Sequence, residues 1–232
     1  MKHQYPIMLD VNGACCLIVG GGSIAERKAR SLVQAGAHVT VVSPDFTAGL
    51  IDMERNGEVV LYRQTFSSLT ISTEVAEGTT PYKLVIAATD AADVNKKIFE
   101  AAAQHSLLVN VVDQPELSTF IVPSVVRRGK LVIAVSTGGA SPAAARKIAR
   151  ELEQTYGDEY ELYLDFLSEV RLNVQAAVPD KEARQQLFKE MLEWDVLSRI
   201  RAGSFESWKQ EMFEAFEKEP VMATIRAFGQ RL

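Results

Sequence analysis

Three stretches of the chain carry residues that could do chemistry. Gly20-Gly21-Gly22-Ser23-Ile24-Ala25 is a turn whose backbone amides are left uncovered, so the chemistry it offers is anion binding. The first glycine allows a tight turn, Gly22 lets amides approach a pyrophosphate, and Ala25 keeps the next helix close to its sheet. Asp90 and Asp113 each follow an apolar run. A carboxylate in that place can exchange a proton with a bound substrate. Residues 124–150 hold Arg127, Arg128, Lys130, Arg146, Lys147 and Arg150 and no carboxylate, in a chain of net charge −5. Such a local excess concentrates field on an anionic ligand. Inside it, Gly138-Gly139-Ala140-Ser141-Pro142 leads into a helix start, a second place where free amides meet an anion.

These residues need elements to hold them. Residues 14–19 (ACCLIV) are apolar throughout, as in a strand buried on both faces. Residues 23–35 place Ile24, Ala25, Ala29, Leu32 and Val33 on one helical face, Gly36 stops the helix, and His38 to Ser43 reads as the next strand. The glycine turn therefore sits inside a strand–helix–strand unit, where it is far more specific than alone. The bland alternative is a glycine turn without a ligand. Further strands are predicted at 58–62, 84–88 and 107–112, with a helix over 93–105. This alternation implies a doubly wound parallel sheet. Both aspartates then lie at its carboxyl edge, where ligands bind in open α/β folds. Asp113 is the leading acid–base candidate and Asp90 its competitor.

An NAD site of this kind usually has a carboxylate about 20 residues beyond the turn, on the ribose hydroxyls. Here the second strand ends Val42-Ser43-Pro44, and Asp45 is the first acid. The next arginine is Arg55, so NAD is favoured over NADP. Asp45 as a solvated turn residue stays open.

After Asp113, β-like segments at 119–126 and 130–136 are joined by a turn at 127–129. Pro123 makes a central strand position unfavourable for the first. Ser141 and Pro142 open a helix as N-cap and first residue, running to about Tyr156. The rest is helical, with one apolar face on Tyr160, Tyr163, Leu164, Leu167 and Val170, a second on Leu187, Met191, Leu192 and Leu197, and a third on Phe205, Trp208, Met212, Phe213 and Phe216. Residues 67–81 are polar and are expected to make a surface excursion.

Composition narrows the classes. The chain has 232 residues, 47% of them hydrophobic and 24% charged, which is ordinary globular composition. Its acidic balance argues against general nucleic-acid binding. No apolar run reaches membrane-spanning length and no signal peptide is evident, so no membrane partner and a cytoplasmic location are expected. Cys15 and Cys16 are adjacent and read as reduced core residues. His3, His38 and His105 form no metal-binding pattern, and no metal site is expected.

The motifs Val19 to Arg30, Ala-Ala-Thr-Asp90, Asn-Val-Val-Asp113, Phe-Ile-Val-Pro-Ser124 and Ala-Val-Ser-Thr-Gly-Gly-Ala-Ser-Pro142 together resemble the precorrin-2 dehydrogenase family. This family forms the dehydrogenase, and sometimes ferrochelatase, module of siroheme synthases. The resemblance covers roughly residues 3–155. It implies a Rossmann-like NAD-binding domain over 1–113, a dimerisation and substrate region over 114–145, and a helical domain over 146–232. It further implies oxidation of precorrin-2, a tetrapyrrole with eight carboxylates, to sirohydrochlorin by NAD within a homodimer. Asp113 matches the family's key aspartate. Ser23, Ile24, Pro44 and Asp45 match cofactor positions, with Gly20, Gly22, Thr89 and Asp90 beside them. Ser136 matches a serine of the tetrapyrrole site, and Ser141, Arg127, Arg128 and Arg146 are the further candidates for substrate carboxylates. Two other readings stand beside this one: a bifunctional dehydrogenase and ferrochelatase, and an NAD-sensing dimer without chemistry.

Overall fold

The computed structural model describes residues 4–68, 71 and 81–231. They fall into two compact units, Met1–Val122 and Pro123–Leu232.

The first unit is built on β1 (Cys15–Val19), α1 (Ser23–Gln34), β2 (His38–Ser43), α2 (Ala48–Arg55), β3 (Val59–Arg63), β4 (Leu84–Ala87), α3 (Ala92–Gln104) and β5 (Leu108–Val111). The five strands form one sheet in the order β3-β2-β1-β4-β5, and every pairing is parallel. The apolar runs in β1 and β4 follow from this order, because central strands are covered on both faces. On one face, Cys16, Ile18, Val39 and Val41 pack against Ala25 and Ala29 of α1 and Leu50 and Met53 of α2. On the other, Leu17, Val19, Val85 and Val109 pack against Ile98, Ala101 and Ala102 of α3. The sheet is doubly wound, as the alternation predicts. At its β3 edge, Val60 and Tyr62 are exposed.

Three details differ from expectation. Helix α2 had no sequence prediction; Thr47 caps it, its hydroxyl accepting from Leu50 N. Most of the excursion at 67–81 lies outside the described residues, but Ile71 is buried against the α3 face of the sheet. The strand expected from Thr119 begins only at Ser124. Residues 118–120 instead line the free edge of β5 mainly through side chains, with one backbone bond from Thr119 N to Val109 O (2.8 Å). Val109 N donates to Thr119 Oγ1 (2.8 Å), Val111 N to Ser118 Oγ (2.9 Å) and Asn110 Nδ2 to Phe120 O (3.0 Å). Hydroxyls that take over the backbone's partners displace a regular ladder.

The second unit opens with an antiparallel hairpin, β6 (Ser124–Arg128) and β7 (Leu131–Val135). The turn falls at Gly129-Lys130, since Arg127 and Arg128 belong to the strand. A two-stranded ribbon is marginal by itself. Here Val126 and Val135 are covered by Ala145 and Ala149 of α4 (Pro142–Thr155). Helices α5 (Glu159–Ala177), α6 (Lys181–Glu190), α7 (Val196–Arg201), α8 (Phe205–Lys218) and α9 (Met222–Gly229) follow. Phe166, Val170, Val174, Leu187, Met191, Val196, Phe205, Trp208, Met212, Phe216, Ile225 and Phe228 make their core. The face of α5 is therefore centred on Phe166, Val170 and Val174, with Tyr163 and Leu167 at its margin, and Leu192 is exposed. Among the described residues, no helix is long and apolar enough to cross a membrane.

Candidate functional site

Parallel register sets the site. Val19 pairs with Val42 and with Ala87, and Ala87 pairs with Val111. The residues at and just beyond the ends of these strands, Gly20, Ser43 to Asp45, Thr89 to Asp90, and Asp113, therefore lie along one carboxyl edge. The strand order turns outward in both directions from β1 and β4, the switch point at which such sheets bind ligands.

The glycine turn is packed on its inner side and open on its outer side. Gly20 has φ +123°, and an added Cβ would collide with the carbonyl of Ala88. At Gly21 it would collide with the carbonyl of Asp45, while Thr47 N donates to Gly21 O (2.9 Å). Above Gly22 a Cβ would meet no atom within 4 Å. Gly22 is the N-cap of α1 and supplies no side-chain cap. The first amides of the helix, at Ser23 and Ile24, are therefore uncovered beneath open space, and they carry the positive end of the helix dipole. This cradle fits a dinucleotide's pyrophosphate.

The turn is tied to the segment after β2. Thr47 Oγ1 donates to Glu26 Oε2 (2.7 Å), and Glu26 also accepts from Arg30 (2.8 Å). The Thr47 hydrogen bond, then that from Arg30, holds the Glu26 carboxyl below the usual carboxylate range. Pro44 and Asp45 are exposed beside the turn. On the neighbouring strand, Thr89 Oγ1 donates to Asn95 Oδ1 (2.7 Å), and Asn95 Nδ2 donates to Thr89 O (3.0 Å). Asn95 is buried, and the apolar-face prediction for α3 had passed over it. Asp90 is exposed at the mouth of α3.

Asp113 is exposed and takes φ +59°, a left-handed conformation that aspartate tolerates better than most residues. Its turn is fixed from below. Val112 N donates to Ala87 O (2.9 Å), and buried Ser118 offers its hydroxyl to Gln114 O (3.1 Å) while accepting from Val111 N. Ser118 escaped the sequence reading because a lone buried hydroxyl leaves no periodic trace.

In the second unit, Arg128 is held. Its Nε lies 2.9 Å from Asp158 Oδ1, an ion pair without the angle of a hydrogen bond. Its Nη2 lies 3.6 Å from Glu153 Oε1 and donates to Glu153 O (3.3 Å). Lys130 pairs with Asp165 (2.8 Å). Arg127 and Arg146 are exposed, and neither side chain has an ion pair among the described residues. Exposed Ser136 accepts from Gly138 N (3.1 Å). Ser141 caps α4, accepting from Ala144 N, and Thr137 closes the loop by bonding Ser141 N and O (3.1 Å each). The capped helix start is as predicted; the Thr137 clasp was not foreseen.

Cys16 is buried, and burial first, then neighbouring Cys15, pushes its thiol up to about 11. Both cysteines are free. Burial and the raised value make Cys16 an inert core thiol at neutral pH.

Comparison with known proteins agrees with this fold. Residues 7–124 match the family model described as putative NAD(P)-binding. Residues 128–155 match that of the sirohaem biosynthesis protein central domain, and residues 160–195 that of the SirC C-terminal domain. The siroheme synthase of Nitrosospira multiformis is 34% identical over 231 residues, covering 97% of this chain and 47% of that protein. The siroheme synthase of Methylococcus capsulatus is 34% identical over 229 residues, with 97% and 47% covered. The chain thus spans about half the length of these curated relatives. A solved structure titled SirC, precorrin-2 dehydrogenase, superposes with a TM-score of 0.74 at 28% identity, covering 93% of this chain and 100% of that one.

Proposed function

The chain belongs to the putative NAD(P)-binding family, in the three-part arrangement of siroheme biosynthesis proteins, and on that premise we propose that it is an NAD-dependent precorrin-2 dehydrogenase. The observation that carries the proposal is the shared edge: Asp113 follows β5 at the same end of the sheet where the glycine turn follows β1. The structure titled precorrin-2 dehydrogenase supports the substrate class.

In this reading Gly20, Gly22, Ser23 and Ile24 hold the pyrophosphate, Pro44 and Asp45 the ribose, and Thr89 and Asp90 line the route toward the nicotinamide end. The cofactor supplies a hydride acceptor. Asp113 receives a proton from the substrate or fixes the ring system against that acceptor. It is exposed on a left-handed turn, and Ser118 keeps the turn in place. Arg127 and Arg146, without an ion pair among the described residues, are the arginines best suited to substrate carboxylates. Ser136 and Ser141 are further proposed contacts; of the amides after Ser136, those of Gly138, Ala140 and Ser141 already donate to Ser136 Oγ, Thr137 O and Thr137 Oγ1. Arg128 could join them only by leaving Asp158 and Glu153. The hairpin and its flanks, over 114–145, are the proposed homodimer contact, with 1–113 and 146–232 the cofactor and helical domains. We place this chemistry in the cytoplasm.

The test is NADH formation from NAD and anaerobically prepared precorrin-2, with Asp113→Asn alongside. Asparagine keeps the shape and tolerates the left-handed backbone, which alanine does not. The native protein is expected to yield NADH and sirohydrochlorin, while the variant binds NAD and turns over at least about 100-fold more slowly. Equal activity in both would move the base elsewhere, to Asp90 first. Binding without any reduction by the native protein would favour an NAD sensor.

A further inference from the structure

Arg63 is the last residue of β3 and pairs in register with Ser43, the last residue of β2. The parallel sheet thus brings an arginine to the segment proposed to hold the ribose, although 20 positions separate Arg63 from Ser43 in the chain. Its guanidinium carbon lies 5.4 Å from the ring centroid of Phe46, the residue after Asp45. Its Nη2 is 3.0 Å from Glu54 Oε2, on the last turn of α2. The arginine side chain is 54% exposed, so it can reach a ligand without unfolding anything.

The two nicotinamide dinucleotides differ at one place, the adenosine 2′ position, which bears a hydroxyl in NAD and a phosphate in NADP. A phosphate there carries nearly two negative charges at neutral pH. Arginine is the side chain suited to binding it, through paired N–H donors. Asp45 would repel it. Arg63 would attract it, but the arginine is already neutralised by Glu54, and the hydrogen bond from Arg63 holds the Glu54 carboxyl below its ordinary range.

We propose that Arg63 is the residue that discriminates between NAD and NADP, and that Glu54 is the positioning residue that sets its preference toward NAD. With the pair closed, the pocket presents one net negative charge, from Asp45, and a 2′-hydroxyl is accepted. With Glu54 uncharged, the guanidinium is free to swing along the face of Phe46 and take the phosphate. The proposal rests on the dinucleotide reading of the glycine turn, and it refines that site by naming the part that chooses the cofactor.

The experiment is calorimetric titration of the full-length protein with NAD and with NADP, which needs no substrate or turnover. Thermal melts confirm that each variant is folded. The native protein is expected to bind NAD more tightly. Glu54→Gln should tighten NADP about tenfold, as expected for one charge-assisted contact, and change NAD less than about threefold. Glu54→Asp, which keeps the charge, should stay near the native ratio. Adding Arg63→Ala to Glu54→Gln should abolish the gain. A ratio unmoved by Glu54→Gln, or a gain that survives removal of Arg63, overturns the proposal while leaving the dinucleotide site intact. If neither dinucleotide binds the native protein, the dinucleotide reading itself falls, and the selector role with it.

Discussion

Replacing Gly22 by alanine separates binding from folding more cleanly than any other change at the site. Gly22 has φ −81° and ψ −177°, extended backbone that alanine adopts without strain, and its Cβ would enter empty space. Restricting the unfolded chain stabilises the variant by about 0.4–1 kcal/mol. Alanine is the poorer N-cap by roughly the same amount. The two offset, and Tm should stay within about 3 °C of native. In the proposed site, however, the methyl group stands where the pyrophosphate would approach the amides of Ser23 and Ile24. Losing one charge-assisted hydrogen bond costs about 1.5–3 kcal/mol, or roughly 10- to 100-fold in NAD affinity. Calorimetric titration with NAD and a thermal melt read the two quantities separately. Gly20→Ala is the contrasting control. Its left-handed backbone and the Ala88 carbonyl oppose any side chain, so it should lose about 2 kcal/mol or more of stability. A Gly22→Ala protein that melts normally and binds NAD within twofold of native would refute the reasoning, because the pyrophosphate would then lie elsewhere.

Two other outcomes follow from hydrogen bonds at the same sheet edge. Ser118→Ala orphans the buried amide of Val111 and frees the Asp113 turn. It should cost about 1–3 kcal/mol in a denaturant titration, and it should lower turnover while leaving NAD affinity unchanged. Glu26 has its pKa lowered in the folded protein by Thr47 and Arg30, so its contribution is present above the ordinary carboxylate range and is lost as pH falls through the depressed value. In acid melts, the native protein should therefore lose stability below that range more steeply than Glu26→Gln; parallel curves would show that the network contributes nothing.

Elements that bury continuous apolar sequence could be read from the chain. Strand β2 spans the predicted 38–43, and β1 and β4 fall within a residue of prediction, because central strands admit little but hydrophobic side chains. Ser141-Pro142 marked the start of α4 through local backbone chemistry alone. Helix α2 was not legible, since eight residues with two buried positions, Leu50 and Met53, give too short a pattern for periodicity. Residues 119–123 looked like strand because their β-propensity was visible, whereas the capture of Val109 and Val111 by Thr119 and Ser118 was not. Asn95 and Ser118 are single polar residues in apolar surroundings, and only their partners disclose their roles. Along the chain the first arginine after Asp45 is Arg55, too far to meet a 2′-phosphate by sequence distance alone. Strand pairing, not sequence distance, sets Arg63 beside Ser43.

The link between the glycine turn and the segment after β2 has a consequence for redesign. Gly21 gives its carbonyl to Thr47 and lies flush against Asp45, Thr47 hands its hydroxyl to Glu26, and Gly49 leaves room for the same glutamate. These residues behave as one moulded part in two pieces of chain. A graft that carries only residues 20–25 into a related scaffold would leave Thr47 and Glu26 without their counterparts, and the Asp45 backbone carbonyl that lies against Gly21 would not be matched. The smallest transplantable unit is therefore the pair of segments 20–26 and 43–50, moved together.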